Sequence, residues 1–365
     1  MRRKHFFLLL LLMSGMEGCR NDTSTPPIEP KVKRAPVSHE VAPTETRFGV
    51  LVSIDGLGAL YLKPMWENGR LPGLSRLAEL GAYTNDARTD PSNTRTLPNH
   101  TCMLTGLPVG RPTAVSNAYH GFTFNQHPPP RMTLHSANPN HRYLPSIFDV
   151  AHDFGKKTCL FSGKSRFVIF DRSYDEQHGA MDAVAPDHGR DKIDVTVISE
   201  DLDDLFSRFA DIMMSESPCH LTFFHIADPD RVGHAHGWGG YEWREAVTAA
   251  DEVVSKMLGM MSNEARFKGH SALLVTADHG GHGIHHGNPR LEAVFTIPFY
   301  VMAPRIPANT NLYSVVSKTR RRWPGHNPSS AVSPQPIRNG DAGNLLLALL
   351  GLPPVPGSVM FGMLR

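Results

Sequence analysis

The stretch Ser271-Ala-Leu-Leu-Val-Thr-Ala-Asp278-His279-Gly-Gly-His282-Gly-Ile-His285-His286-Gly287 decides how the rest of the chain is read. Leu273 to Thr276 reads as a short strand buried on both faces. Its C-terminal end opens into a loop with one carboxylate and four imidazoles within nine residues. A polar surface loop or an adventitious metal-binding tract can have the same composition. Two features favour a built site. The strand fixes the start of the loop at a sheet edge, where open α/β folds place their ligand crevice. The interleaved glycines let side chains converge on one point instead of splaying outward. Imidazole and carboxylate together suit zinc or a similar divalent cation.

Two other strands end in the same way. Phe48-Gly-Val-Leu-Val-Ser-Ile54 is a near-continuous apolar run that stops at Asp55-Gly56. Turn chemistry alone can put an Asp there, but a buried carboxylate without a partner is costly. His220 to Ile226 is a third strand, running into Asp228-Pro-Asp230-Arg-Val-Gly-His234, with Gly233 expected to allow a tight turn. Lys157 to Phe161 and Ile297 to Met302 read as further strands. Helical spacing marks Leu71–Leu80, Pro145–Gly155, Asp194–Met214, Tyr241–Met261 and Asp341–Leu350. Alternating strands and helices predict a doubly wound, largely parallel α/β sheet with helices on both faces. Strand tips in such a sheet share one edge, so Asp55, Asp230, His234, Asp278 and His279 can meet there.

Between these elements, Thr89-Asp-Pro-Ser-Asn-Thr-Arg-Thr96-Leu-Pro-Asn-His100 is a loop leading into a helix opening at Thr101–Gly106. A Thr beside a helix start is most often a cap; backbone N–H groups there can also receive a phosphate. Arg95 and Lys164 are the nearby cations, and for each a solvated loop position is at least as natural as a role in the site. Residues 107–144 lack periodicity and suit a substrate-facing excursion.

Composition bounds the function. A 365-residue chain with 40% hydrophobic and 20% charged residues is ordinary for a globular protein, and a net charge of +2 offers no nucleic-acid footprint. Met1 to His5 is cationic, Phe6 to Met13 is apolar but short, and Gly15-Met-Glu-Gly18-Cys19 follows. This predicts a signal segment over 1–19, resembling a bacterial lipoprotein signal with Cys19 as the lipidated residue; plain secretion is the alternative. Either reading exports the protein to the cell envelope. Residues 20–46, rich in Pro, Thr and charge, read as a tether, and 47–365 as the catalytic domain. Cys102, Cys159 and Cys219 contain no CxxC unit, so a thiolate zinc site is disfavoured. One pair of them can form a disulfide in an oxidising compartment, and buried free thiols fit as well.

Ile54-Asp55-Gly56, Thr96-Leu-Pro-Asn-His100 with Thr105-Gly106, Asp228-Pro-Asp230-Arg-Val-Gly-His234 and Ala277-Asp278-His279-Gly280 occur in that order. Together they resemble the nucleotide pyrophosphatase/phosphodiesterase branch of the alkaline phosphatase superfamily, over about residues 47–355. The resemblance implies two zinc ions, one held by Asp55, Asp278 and His279, the other by Asp230, His234 and a further His. His286 is the expected residue, with His285, His282 and His326 behind it. It also implies that Thr96 is the nucleophile, itself a ligand of the zinc held by Asp55, Asp278 and His279 and passing through a phospho-threonine, and that Asn117 and the Leu97 amide hold a phosphate oxygen. The expected substrate is a small phosphate ester or a nucleotide. A phosphomonoester or phosphonate hydrolase on the same site is the alternative, as is a zinc-binding envelope lipoprotein without catalysis. A third acidic site for an extra cation is not evident, which leans the reading toward diesters. A sulfatase is disfavoured, because no Cys/Ser-x-Pro-x-Arg motif is present.

Overall fold

β1 (Phe48–Ile54) lies at the centre of the sheet, and all seven of its residues are buried. An apolar run needs no polar face there, because both neighbours and both faces of the sheet are covered. The computed structural model describes residues 46–113, 117–182, 189–316 and 318–360. The expected signal segment, Cys19 and nearly all of the tether lie outside these residues. Among the described residues no helix is long and apolar enough to cross a membrane.

The remaining strands are β2 (Ala82–Arg88), β3 (Thr158–Ser162), β4 (Val195–Ile198), β5 (Leu221–Ile226), β6 (Ser271–Thr276), β7 (Thr296–Met302) and β8 (Thr310–Asn311). They form one eight-stranded sheet in the order β4-β3-β5-β1-β6-β7-β2-β8. Every pairing is parallel except those of β7, which runs against β6 and β2. The fold is therefore the expected α/β class with a mostly parallel sheet. β5, β1 and β6 are adjacent, in continuous register from Gly49 to Ser53. The three strands that run into Asp and His residues are thus immediate neighbours at about 4.8 Å spacing.

Helices Thr96–Thr105, Ile147–Asp153 and Ala342–Leu349 pack together, the last against β1 and β6. Helices Pro72–Leu80 and Tyr241–Asn263 pair with each other, and the first also meets β7. Asp251 of the long helix accepts the Gly73 and Leu74 N–H groups, each at 2.7 Å. Those amides have no partner inside their own helix, so the carboxylate satisfies them across the interface.

Four local expectations change. The helix expected to open at Thr101 already begins at Thr96, so Thr96 to His100 are helical rather than loop. The segment from Asp194 begins with edge strand β4, and its helix starts at Leu202, where Asp201 accepts the Asp203 and Asp204 amides. β2, with Tyr83, Thr84, Asn85 and Asp86, is too polar to read as a strand, yet it pairs with β7 across a bulge. Asp228–His236 is a helix rather than a tight turn. Gly233 is needed there because a Cβ would lie 2.6 Å from the Trp238 ring.

Cys159 on β3 and Cys219 just before β5 form a disulfide, and Cys102 is a buried free thiol. The bridge spans 60 residues of sequence. By loop entropy it stabilises the fold by about 4 kcal/mol. Denaturant unfolding of the Cys159→Ser, Cys219→Ser double variant should show a loss of that order. A midpoint equal to that of the wild type would exclude the crosslink as a stabiliser.

Candidate metal centre

Asp55 follows β1, Asp230 lies one turn into the helix after β5, and Asp278 and His279 follow β6. Lys164 follows β3 by two residues. All of these residues are buried. Parallel strands end on the same edge, so backbone topology alone brings these groups together.

Each carboxylate commits one oxygen to the protein and holds the other free. Asp278 Oδ1 accepts the Gly56 N–H at 3.1 Å and the His279 N–H at 2.9 Å. Asp55 Oδ2 pairs with Lys164 Nζ at 2.6 Å and His225 Nε2 at 2.9 Å. Asp230 Oδ2 takes the same ammonium at 2.6 Å. The opposite oxygens, Asp55 Oδ1, Asp230 Oδ1 and Asp278 Oδ2, are buried without a hydrogen-bond partner, and so is His279 Nε2. Orphaned buried acceptors are rare in folded proteins, since each loses its hydration. Four in one cleft call for cations.

The imidazoles are arranged for the same purpose. His279 Nδ1 donates to the Gly280 carbonyl at 2.9 Å, His234 Nδ1 to Ile284 at 2.9 Å and His286 Nδ1 to Thr94 at 2.6 Å. A carbonyl only accepts, so each ring carries its proton on Nδ1 and keeps a lone pair on Nε2. Two of those lone pairs, on His234 and His286, face each other at 3.1 Å, a contact that repels unless a cation lies between them. Asp230 Oδ1 is 3.4 Å from His234 Nε2 and 3.6 Å from His286 Nε2. Asp230, His279 and His286 form one group with metal-binding spacing, and Asp55, Asp278 and His279 form another. His279 belongs to both. Oxygen and imidazole donors in these sets fit zinc or a comparable divalent ion.

Charge supports the fit. Burial pushes the Asp55 carboxyl up, but Lys164 and His225 outweigh it and hold it well below the usual range. Burial and the Asp55 charge push Asp278 well above that range. Burial lowers the Lys164 ammonium, while Asp55 and Asp230 more than restore it. Burial, with His279 alongside, pushes His286 down to about 3, so it stays a neutral ligand-type imidazole. One ammonium is shared by Asp55 and Asp230, and Asp278 is held by backbone amides alone.

Thr96 begins the helix Thr96–Thr105 and is buried. The chain around it is tied to the cluster on both sides. Thr94 Oγ1 donates to the His286 carbonyl at 2.5 Å, and His100, whose Nδ1 donates to the Thr96 carbonyl at 2.7 Å and whose Nε2 accepts the Ser53 hydroxyl at 2.8 Å, comes within 3.8 Å of Asp278 Oδ2. Asn339 Nδ2 clamps the Asp278 carbonyl (3.0 Å) to Asn99 Oδ1 (3.0 Å).

Some expected residues fall elsewhere. Asn117 is exposed. The side chain that meets the Leu97 amide is Asn125, whose Oδ1 accepts that N–H at 2.8 Å. Arg95, His282, His285 and His326 are exposed, whereas His286 is in the cluster. Lys164, which reads equally well as a solvated loop residue, lies between Asp55 and Asp230. Gly280 and Gly281 serve close packing more than convergence, whereas a Cβ on Gly283 or Gly287 would meet open space. A Cβ on Gly281 would lie 2.1 Å from Trp238, whose indole N–H donates to the Gly56 carbonyl at 2.8 Å.

A mostly parallel sheet with carboxylates and imidazoles on its carboxyl edge, beside a helix opened by threonine, is the arrangement of the alkaline phosphatase superfamily. Within it, the chain belongs to the type I phosphodiesterase/nucleotide pyrophosphatase family, whose model matches residues 49–308. No curated protein sequence matches the chain. Similar solved structures include murine ectonucleotide pyrophosphatase/phosphodiesterase 5, alone and as an inactive threonine-to-alanine variant in complex with AMP. Each has a TM-score of 0.54 at 14% identity, covering 85% of this chain and 96% of its own. The human counterpart has a TM-score of 0.52 at the same identity and coverage. At that identity the likeness concerns the fold.

Cations that fill this cluster should stabilise the fold by mass action. Zn²⁺ at a hundredfold excess over its Kd should raise the unfolding free energy by about 2.7 kcal/mol per site. His279→Ala, which removes a donor from both groups, should abolish the shift. A wild-type protein whose denaturation ignores added metal would argue against the assignment.

Proposed function

We propose that the protein is a metal-dependent phosphate ester hydrolase of phosphodiesterase/nucleotide pyrophosphatase type with Thr96 as nucleophile. Four orphaned acceptor atoms beside a helix that starts at a buried threonine carry this reading. Asp55, Asp278 and His279 would hold one divalent cation, and Asp230, His234 and His286 a second. Such ions, zinc by preference of the donors, supply charge neutralisation and make hydroxyl groups more acidic.

The chain's own residues do the rest. The Thr96 hydroxyl oxygen attacks phosphorus, the bond to the leaving oxygen breaks, and water then hydrolyses the phospho-threonine. Asn125, whose Oδ1 takes the Leu97 N–H, can turn its Nδ2 amide to a non-bridging oxygen, the role expected of Asn117 and Leu97. His225 and Lys164 fix Asp55, the Gly56 and His279 amides fix Asp278, and carbonyls fix the three imidazoles. Nothing in this set has to rearrange as the reaction proceeds.

A nucleotide is a fitting substrate class, given the family and the AMP bound to the murine neighbour. Export to the cell envelope, with or without a lipid on Cys19, agrees with the Cys159–Cys219 disulfide, since such bridges persist in oxidising compartments.

Thr96→Ala should lower hydrolysis of bis(p-nitrophenyl) phosphate by roughly 10³-fold or more. Its metal content should match that of the wild type, because Thr96 is not needed to seat the ions. Strong residual turnover would remove Thr96 from the nucleophile's role.

A further inference from the structure

The loop after β6 carries two histidines that the proposed ion sites leave unused. His282 and His285 flank a two-residue turn. The His282 N–H donates to the His285 carbonyl at 2.8 Å, and the His285 N–H donates to the His282 carbonyl at 3.1 Å. They form an antiparallel bridge closed by both hydrogen bonds. Gly283 takes the first central position of the turn with φ +57°, a conformation that suits glycine there. Trp238 and His234 hold the turn from outside through its Gly283 and Ile284 carbonyls.

Residues opposed across such a bridge carry their side chains on one face, with Cβ atoms roughly 5 Å apart. A divalent ion bound by two imidazoles at roughly 2 Å each spans that gap. Both histidines are exposed, and among the described residues neither ring has a hydrogen-bond or ion-pair partner. Successive side chains of an extended chain turn to opposite sides, and here that alternation separates two tasks. His286 is buried against His279 and His234, whereas His285 faces solvent. Among the described residues no third His, Cys, Asp or Glu closes on the pair, so water would complete the coordination shell.

We propose that His282 and His285 form a separate cation site on the outer side of this loop. It takes a first-row divalent ion that accepts imidazole: zinc, or copper more tightly. The closed turn and its contacts to Trp238 and His234 hold the two residues opposite each other before any ion arrives, so little ordering is lost on binding. The ion lies at the rim of the cleft, beside the helix that carries Asp230 and His234. This site needs neither Thr96 nor any buried carboxylate, and it is independent of the hydrolase reading.

The test titrates the zinc-loaded full chain with further Zn²⁺ by calorimetry and with Cu²⁺ by electron paramagnetic resonance. An additional equivalent should bind beyond the buried cluster's own complement, and the copper spectrum should show coupling to a pair of imidazole nitrogens. His282→Ala and His285→Ala should each weaken that equivalent about a hundredfold, the loss expected when a chelate becomes a single ligand. Their unfolding midpoints and their hydrolysis of bis(p-nitrophenyl) phosphate should equal those of the wild type, since both rings lie outside the core and the cluster. His279→Ala should keep the outer equivalent while losing the inner ions. An outer equivalent retained by the His282→Ala, His285→Ala double variant, copper coupled to a single nitrogen, or no additional equivalent overturns the proposal. So does a single variant that loses hydrolysis together with the cluster's zinc, which would make these rings inner ligands. A wild type that binds the outer ion yet hydrolyses no phosphate ester supports this site and overturns the hydrolase reading alone.

Discussion

Three buried carboxyl groups within reach of one ammonium set the terms for this structure. Asp55, Asp230 and Asp278 arrive from three adjacent strands, and their mutual repulsion in a dry cleft is large. The fold tolerates them because each is held on one side by donors that do not move: two backbone amides, His225 or Lys164. What remains on the other side is a set of lone pairs with no protein partner. Those lone pairs are what a bound cation would meet, and the apolar sheet beneath is a rigid mount that keeps them together.

That mount explains why so many supporting contacts are backbone contacts. The Gly280, Ile284 and Thr94 carbonyls orient three rings, and Asn339 ties the Asp278 carbonyl to Asn99 of the helix Thr96–Thr105. Backbone groups do not change rotamer, which keeps the ligand atoms in register with Thr96. His279 Nε2 has metal-binding spacing to both carboxylate groups, so its ring couples the two halves of the cluster.

Much of this was legible in the sequence because buried parallel strands are written as apolar runs and end abruptly in polar residues. Phe48–Ile54 matches its expected span, and the runs ending at Ile226 and Thr276 start within a few residues of where they were expected. Polar or short strands were not legible. β2 carries Asn85 and Asp86 near the sheet's edge, and β4 has only four half-buried residues. Asn117 and Asn125 both lie in the aperiodic stretch after the helix Thr96–Thr105, and spacing alone cannot tell which turns inward. Lys164 leaves the same kind of trace as a solvated loop lysine; only the sheet order, with β3 beside β5, brings it to the carboxylates.

The reversal of β7 has a further consequence. Because it alone runs backwards, the segment leaving β6 at Ala277 re-enters the sheet at Thr296 from the same rim, with the Gly280 N–H bonded to the Val294 carbonyl at 2.8 Å near its base. The His282–His285 tip is drawn back over the cleft as a result: its Gly283 carbonyl accepts the Trp238 N–H at 2.8 Å and its Ile284 carbonyl the His234 ring at 2.9 Å, so a loop anchored at both ends of one rim braces the helix that follows β5.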